Sequence, residues 1–498
     1  MGLVREIAAA RYYGTGAAAA AFTVAFQVPN LIRALVADAA LSSAFVPEFT
    51  RLMEDGKQKE ARELAGALVG IIVVGLGLIT LVFMVAAPLL MPVFTGSKFT
   101  HADNVLTAGL SRVLFPIVVL LALNGLVVGI LNAHDHFSIP AIAPLVWNVV
   151  IIAGLIGFRG LFDGPHKIYA YAIGVLIGTV VQFAMCIPPL RRMGIHLRPS
   201  LQWRAPGVTR VLQLMLPVSL GLGVINVDLI INTFLGSSVS AGAPRAIDAA
   251  FRIYMLPQGM FSVAVATVLF PQLSRLAARR DLPGLRRWSG GGMRLIFLAL
   301  IPCAAAMVVL SEPLTRLVFE RGAFGAQSTH DTALALFWFS FSLPFNGANL
   351  MLTRTFFSLQ LPWMPTKLAG LSLVVNAVVS LALYKPFGIA GVVIGTAVSN
   401  MVMTAQQIYF LRRELGGFEI AGTIRSVATM TGAAVAFGVV AYFSWHLLDD
   451  ALGRDLLAQI VSVGVALTAG FLVYGGLVLL AKLPEAEQVR RMVTRRSR

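Results

Sequence analysis

The chain has 498 residues, of which 57% are hydrophobic and 12% are charged. This leaves too little polar surface to cover a water-soluble globule of that size, so the surrounding solvent must be largely lipid. The formal net charge of +16 could point to nucleic acid. The basic residues lie in short clusters between apolar runs, however, so we expect no nucleic-acid partner and attribute the charge to membrane topology.

Long apolar runs recur from the first hundred residues to the last fifty. Each is long enough to cross about 30 Å of hydrocarbon as a helix, and none alternates with a period of two as a barrel strand would. The sequence therefore predicts an all-α polytopic membrane protein with about fourteen transmembrane helices. Beyond the start of the chain, the runs cover residues 64–94, 113–133, 140–158, 168–190, 211–235, 253–273, 295–311, 332–353, 368–384, 386–411, 427–448 and 456–481.

The loops between these runs alternate in charge. Arginines cluster in every second loop, including Arg191 and Arg192, Arg412 and Arg413, and the tail from Lys482 onward. The intervening loops carry sparse charge, such as Lys98 and Arg245. The positive-inside rule places the arginine-rich loops and the C-terminus in the cytoplasm, and an even number of spans places the N-terminus there too. We expect a multi-pass protein of a bacterial inner membrane.

The start of the chain differs from the other spans. The first segment, residues 2–10, is interrupted by Arg5 and Glu6 and is followed by Arg11. This segment is too short to span and lacks the order of a signal peptide. We expect a first helix shortened by a late start codon, with a half-spanning interfacial helix as the alternative.

Two octapeptides about 224 residues apart resemble each other: residues 45–52 read FVPEFTRL and residues 269–276 read LFPQLSRL. Both end an apolar run at the predicted cytoplasmic face. The similarity of the two octapeptides predicts two six-helix lobes related by a pseudo-two-fold axis along the membrane normal, with the substrate between them. We assign the N-terminal lobe to residues 1–200, the C-terminal lobe to 201–418, and two further helices with a basic cytoplasmic tail to 419–498.

Three arginines interrupt the predicted membrane segments: Arg33 in the second helix with Asp38 five residues on, Arg5 in the first, and Arg252 near the start of the eighth. A centrally placed arginine costs roughly 2.5–3.5 kcal/mol on insertion scales, so its presence needs a reason. Guanidinium groups bind phosphate oxygens bidentately and stay charged when desolvated. The pattern predicts an anion site in a central cavity, with snorkelling to the lipid headgroups as the alternative.

Asp228 is a further intramembrane charge, in an apolar run with asparagines nearby. Asn376 and Ser380 share a helix face at i, i+4, and Thr396 offers a hydroxyl from the next span. Oxygen ligands of this kind suit a hard cation such as Na⁺. The alternative is a protonated or hydrogen-bonded structural aspartate.

Motifs for covalent chemistry are missing from the sequence. It contains no Walker A motif and no serine, cysteine or histidine constellation of a hydrolase. Cys186 and Cys303 both lie inside apolar runs, where a small apolar role is expected rather than a disulfide or a metal ligand. We expect a transporter that is not an enzyme and that needs no cofactor apart from a coupling ion.

Two segments of the second helix region resemble a known family. Residues 25–33 read AFQVPNLIR and residues 39–47 read AALSSAFVP, and together they look like the signature of the MurJ or MviN family of lipid II flippases. Residues 136–144 (HFSIPAIAP), 232–233 (NT), 269–271 (LFP) with Arg252, and 354–358 (RTFFS) add to the likeness. The resemblance runs over essentially the whole chain.

This resemblance implies the exporter superfamily of multidrug, oligosaccharidyl-lipid and polysaccharide transporters, with two six-helix lobes and two C-terminal helices that form a lipid-accessible groove. It also implies that Arg5, Arg33 and Arg252 bind the diphosphate of the substrate, with Asp38 as an acidic residue of the cavity. A family sodium site maps onto a set of five residues, in which Ser380 stands where the family has a carboxylate. These residues are Asp228, Asn376, Ser380, Val392 and Thr396.

The expected function is translocation of lipid II, the undecaprenyl-diphosphate-linked peptidoglycan precursor, to the outer leaflet by alternating access. We expect a monomer that contacts membrane lipids and cell-wall synthesis enzymes. Alternatives are a polysaccharide-lipid flippase or a drug/cation antiporter of the same superfamily, or a non-transporting scaffold for cell-wall enzymes. An antiporter for cationic drugs should line its cavity with carboxylates rather than arginines.

Overall fold

A computed structural model describes residues 1–36, 39–195, 197, 199–200, 202 and 207–487. The regular elements in these residues are all helical, which confirms the predicted fold class. The α-helices, in chain order, are α1 Gly2–Tyr13, α2 Ala17–Val36, α3 Ala39–Glu54, α4 Gln58–Ile71, α5 Gly77–Phe94, α6 His101–Leu114, α7 Ile117–Ala133, α8 Ser138–Gly157, α9 Tyr169–Arg192, α10 Val208–Val239, α11 Ala243–Pro257, α12 Val263–Ala278, α13 Leu282–Val309, α14 Ser311–Phe319, α15 Ala326–Ser340, α16 Leu343–Ser358, α17 Trp363–Phe387, α18 Ile389–Glu414, α19 Ile420–Leu452 and α20 Leu456–Leu480.

Ten stretches of the described chain are long and apolar enough to cross a membrane, some of them made of two helices in series. They are Gln58–Phe94, His101–Ala133, Ser138–Leu161, Gly164–Arg192, Ala243–Ala278, Leu282–Val309, Trp363–Phe387, Ile389–Glu414, Ile420–Leu452 and Leu456–Leu480. The other predicted spans fall on α1, on α2 with α3, on α10, and on α15 with α16. The multi-pass architecture is therefore established, while the total of about fourteen stays a prediction.

Two predicted spans are each broken into two helices instead of forming one continuous helix. The run 113–133 is interrupted at Phe115 and Pro116, between α6 and α7, and the run 332–353 is interrupted at Phe341 and Ser342, between α15 and α16. Proline fixes φ and has no N–H to donate, so it belongs in the first turn of a helix. Pro116 caps α7, and Pro344 occupies the first turn of α16.

Two π-helical turns interrupt further spans. Ile72–Leu76 joins α4 to α5, and Gln258–Ser262 joins α11 to α12. The second turn directly follows Pro257, which cannot donate a helical hydrogen bond. Such turns bend a helix and are frequent at functional sites.

The chain forms two compact units. Unit 1 contains residues 1–245 and 321–324, and unit 2 contains residues 246–320 and 325–498. The predicted lobe boundaries at 200 and 418 rest on the sequence repeat and stay a prediction. The paired octapeptides occupy matching places, because Pro47 and Pro271 each lie inside a helix seven residues before its last residue.

Unit 1 buries two large apolar clusters. In one, Phe45 and Phe49 of α3 are nearly inaccessible and pack with Leu64 and Leu68 of α4. In the other, Phe22 of α2 stacks on Tyr171 of α9 with ring centroids 4.1 Å apart. Helices α8 and α9 approach closely at two glycines, where a Cβ on Gly154 would lie 2.7 Å from the Gly174 Cα. A larger residue at Gly154 would force the two helices apart.

In unit 2, arginines of α13 and α14 form ion pairs near the two ends of α19, the first of the two C-terminal helices. Near the start of α19, Arg294 of α13 contacts Glu485 at 2.5 Å and Glu419 at 3.1 Å. Near the end of α19, Arg316 of α14 lies 3.6 Å from Asp449. The α19–α20 hairpin is thereby tied to α13 and α14 as well as packed on them.

Replacing Arg294 with alanine should destabilise unit 2. The Glu485 side chain is 4% exposed, and removing one partner of a buried ion pair costs about 3–5 kcal/mol. We expect a clearly lower unfolding temperature for Arg294→Ala in detergent, measured by scanning fluorimetry. Arg425→Ala on the exposed side of α19 is the control. Equal unfolding temperatures for the two variants would show that the ion pairs do not hold the hairpin.

Candidate functional site: buried and half-buried arginines

Arg33 lies near the end of α2 and is half-buried. Its Nε and Nη2 atoms donate hydrogen bonds of 3.0 and 2.8 Å to Oδ1 of Asn30, three residues earlier on the same helix face. Both bonds converge on one amide oxygen and fix the plane of the guanidinium group. Asp38, the predicted acidic partner in the cavity, lies outside the described residues.

Arg5 is part of a buried cluster in unit 1. Its Nη2 contacts Oε1 of Glu6 at 2.7 Å, and Arg245 Nη1 contacts the other oxygen, Oε2, at 2.9 Å. The three residues are 8%, 3% and 4% exposed, respectively. The Arg5 guanidinium also lies over the Trp147 ring, 5.0 Å from its centroid. Two arginines thus share the Glu6 carboxylate in a desolvated place.

Arg245 corrects one expectation from the sequence. It was assigned to a sparsely charged loop, but it lies inside α11 and its side chain is buried against Glu6. The hydrophobic pattern could not reveal this, because an arginine two residues into a helix after a glycine looks like a solvated end. The pairing depends on where α1 runs relative to the start of α11, which no local pattern encodes.

Arg252, in unit 2, lies on α11 seven residues after Arg245. Its Nη2 donates a 3.1 Å hydrogen bond to Oδ1 of Asp248, one helical turn earlier, and its side chain is 40% exposed. The guanidinium group is therefore both paired and accessible. The shared role of Arg5, Arg33 and Arg252 in binding an anion stays a prediction.

The predicted cation ligands fall into two groups. Asp228 is half-buried on α10 of unit 1. In unit 2, Ser380 Oγ donates at 3.0 Å to Asn376 Oδ1 and lies 3.0 Å from the Val392 carbonyl oxygen. Thr396, one turn after Val392 on α18, is also buried.

Close packing of α17 on α18 brings these oxygens together. A Cβ on Gly395 would lie 1.8 Å from Ser380 Oγ, so only glycine allows the contact. The structure therefore brings Asn376, Ser380 and the Val392 carbonyl together, while their role in binding a cation stays a prediction.

Glu6→Gln should destabilise unit 1, because two buried guanidinium groups would lose their shared carboxylate. Removing one partner of a buried pair costs about 3–5 kcal/mol. The double variant Glu6→Gln with Arg245→Gln should be less destabilised than Glu6→Gln alone, since it buries one positive charge fewer. Thermal unfolding measures both, with exposed Glu54→Gln as the control. A double variant less stable than the single one would contradict the shared-charge interpretation.

Comparisons with known proteins give the family. The family profile described as "Lipid II flippase MurJ" matches residues 9–461. A probable lipid II flippase MurJ of Rhizobium tropici is 29% identical over 99% of this chain and 94% of its own length. The lipid II flippase MurJ of Burkholderia cenocepacia is 31% identical over 87% of this chain and 85% of its own.

Solved structures agree in fold. A structure of lipid II flippase MurJ in an inward closed conformation superposes with a TM-score of 0.79 at 21% identity, covering 96% of this chain and 95% of that one. An inward-facing multidrug transporter of the MATE family superposes with a TM-score of 0.71 at 17% identity, covering 83% of this chain and 94% of that one. With a family profile that matches most of its length, the chain belongs to the MurJ family of lipid II flippases.

Proposed function

We propose that this protein translocates lipid II from the cytoplasmic to the outer leaflet of a bacterial inner membrane, for cell-wall synthesis. The observation that carries the proposal is the family match over residues 9–461, and it is supported by Arg5, Arg33 and Arg252, which interrupt otherwise apolar membrane segments. The substrate headgroup carries a diphosphate, and arginine is the side chain best suited to bind phosphate oxygens away from water.

Translocation proceeds by alternating access. Arg5, Arg33 and Arg252 bind the diphosphate in a cavity open to the cytoplasm while the polyprenyl chain stays in the surrounding lipid. Rocking of the two halves then exposes the headgroup on the other side. No covalent bond is made or broken, so the protein acts as a transporter and not as an enzyme.

The membrane potential favours this direction of transport. The headgroup is negative and moves outward, and each elementary charge moved through 100 mV is worth about 2.3 kcal/mol. The arginine-rich loops support a cytoplasmic location for both chain termini. We propose that the protein acts as a monomer and passes lipid II to cell-wall synthesis enzymes outside.

A drug/cation antiporter is the weaker alternative. Its support is the MATE structure at 17% identity, which concerns the fold alone. A cavity for cationic drugs needs exposed carboxylates, whereas Glu6 is already shared by Arg5 and Arg245. Because this buried carboxylate is held by two arginines, the cluster supports an anionic rather than a cationic substrate.

The candidate ligands for a coupling Na⁺ in unit 2 are oxygen atoms, which is the type of ligand that this ion prefers. Asn376, Ser380, the Val392 carbonyl and Thr396 are all neutral oxygen ligands suited to a hard cation, with Asp228 as the carboxylate of the predicted set. Ser380 already bridges two of these oxygens by hydrogen bonds. When bound, Na⁺ would supply positive charge that joins α17 to α18.

Alanine substitution of Arg33 or Arg252 should impair function. A hydrogen bond to a charged group contributes about 1.5–3 kcal/mol, so Arg33→Ala and Arg252→Ala should each weaken lipid II binding by roughly tenfold or more. The measurement is rescue of cells depleted of their own lipid II flippase, with binding to the purified protein. Arg425→Ala, on α19, is the control.

Normal growth with both alanine variants would contradict the arginine site. Failure of the wild-type protein to rescue growth, although it is present in the membrane, would favour another lipid-linked substrate.

Sodium binding should appear as ion-specific stabilisation. A ligand at a hundred times its dissociation constant stabilises the folded state by about 2.7 kcal/mol. We expect the unfolding temperature to rise in NaCl relative to KCl, and Asn376→Leu to remove the difference. Ser372→Ala, one turn earlier on the same helix, should preserve it. The absence of any Na⁺-specific shift in the wild type would rule the site out.

A further inference from the structure

Tyr254 is the most deeply buried polar aromatic residue near the headgroup arginine of unit 2. It lies on α11 two residues after Arg252 and is 1% exposed. Its ring packs against Phe251 and Phe339, with centroids 5.6 and 5.4 Å away. Successive helical residues are about 100° apart, so Tyr254 and Arg252 point to opposite sides of α11.

The tyrosine hydroxyl is held by α16. Asn346 Nδ2 donates a 2.9 Å hydrogen bond to Tyr254 Oη, and Ser342 Oγ lies 2.9 Å from the same oxygen. The Asn346 amide also donates at 3.2 Å to Oε1 of Gln258, the first residue of the π-helical turn. One asparagine thus fixes both the buried face of α11 and the start of the turn that ends it.

Helix α16 is itself fixed by contacts with other elements, so it can hold Tyr254 in place. Three residues further along α16, Asn349 Nδ2 donates at 3.3 Å to Asn400 Oδ1, and Thr404 Oγ1 donates at 2.7 Å to Asn349 Oδ1. A Cβ on Gly347 would lie 2.6 Å from Ser262 Oγ at the end of the π-helical turn. The backbone of α16 is therefore pressed against this turn and tied to α18.

We propose that Tyr254 and Asn346 are positioning residues for the headgroup site: their hydrogen bond sets the rotation of α11 and thereby directs Arg252 toward the substrate diphosphate. The inference rests on the proposed function. Arg252 is 40% exposed in its side chain and Tyr254 is buried, so a rotation of α11 about its axis would carry the arginine away while exposing the tyrosine. The hydroxyl opposes that rotation because a buried phenol needs its hydrogen-bond partners.

Tyr254→Phe tests this with the least disturbance, because it keeps the ring and removes the hydroxyl. We expect lipid II binding to the purified protein in nanodiscs to weaken by about three- to tenfold, the effect of one lost buried hydrogen bond. Tyr474→Phe is the matched control, since Tyr474 is also buried in unit 2 and donates to the Leu298 carbonyl at 2.9 Å. It should lose similar stability and bind normally.

A double-mutant cycle separates positioning from packing. In an Arg252→Ala background, Tyr254→Phe should cause no further loss of binding, because the tyrosine acts through the arginine. Asn346→Ala should behave in the same way and serves as the second variant if Tyr254→Phe folds poorly. Additive losses in the Arg252→Ala background, or equal losses for Tyr474→Phe, would overturn the proposal.

The outcomes also distinguish this inference from the proposed function. If Arg252→Ala binds lipid II as the wild type does, the role of Arg252 is wrong and the inference fails with it. If Arg252→Ala is defective while Tyr254→Phe and Asn346→Ala bind normally, only the positioning role is overturned.

Discussion

A guanidinium group inside a hydrocarbon layer must have an oxygen acceptor, and the arrangement of this protein follows from how that need is met. Each predicted headgroup arginine has an acceptor on its own helix: Arg5 has Glu6, Arg33 has Asn30, and Arg252 has Asp248. A partner on the same helix moves with the arginine. Glu6 and Asp248 are charged partners of Arg5 and Arg252, whereas Asn30 is neutral and gives Arg33 only a hydrogen-bond acceptor. The buried Arg245 is a second partner of Glu6, so this carboxylate has an arginine from another helix beside it as well.

The same principle governs the neutral polar groups of unit 2. Asn346 donates to Tyr254 and Asn349 donates to Asn400, so hydrogen bonds join α11 to α16 and α16 to α18. In a membrane interior such bonds fix the rotation and register of helices, because apolar contacts alone leave a helix free to turn against its neighbours. Two irregular features of the backbone lie beside this network, the π-helical turn at Gln258–Ser262 and the break before α16. Flexible geometry and polar anchoring thus occur together next to Arg252.

The sequence predicted what depends on composition and local order. The helical class and multi-pass character followed from long uncharged runs, and the i, i+4 spacing of Asn376 and Ser380 correctly placed them on one face. Contacts between segments that are far apart in the chain could not be predicted from the sequence. The burial of Arg245 depends on α1, and the contact of Ser380 with Val392 depends on glycine packing between α17 and α18. The nearby prolines indicate the helix breaks at Phe115–Pro116 and Phe341–Ser342. A hydropathy profile does not show these breaks, because the segments on both sides of each are apolar.

Reconstituted transport tests the central claim most directly. Proteoliposomes containing the purified protein are loaded with lipid II, and the appearance of its headgroup on the opposite leaflet is followed with a membrane-impermeant enzyme that cleaves it, beside the same lipid carrying a monophosphate. We expect protein-dependent translocation of lipid II and slower translocation of the monophosphate analogue, because arginines at the proposed site would bind two phosphate groups better than one. Equal rates for the two lipids, or headgroup exposure no faster than in protein-free vesicles, would contradict it.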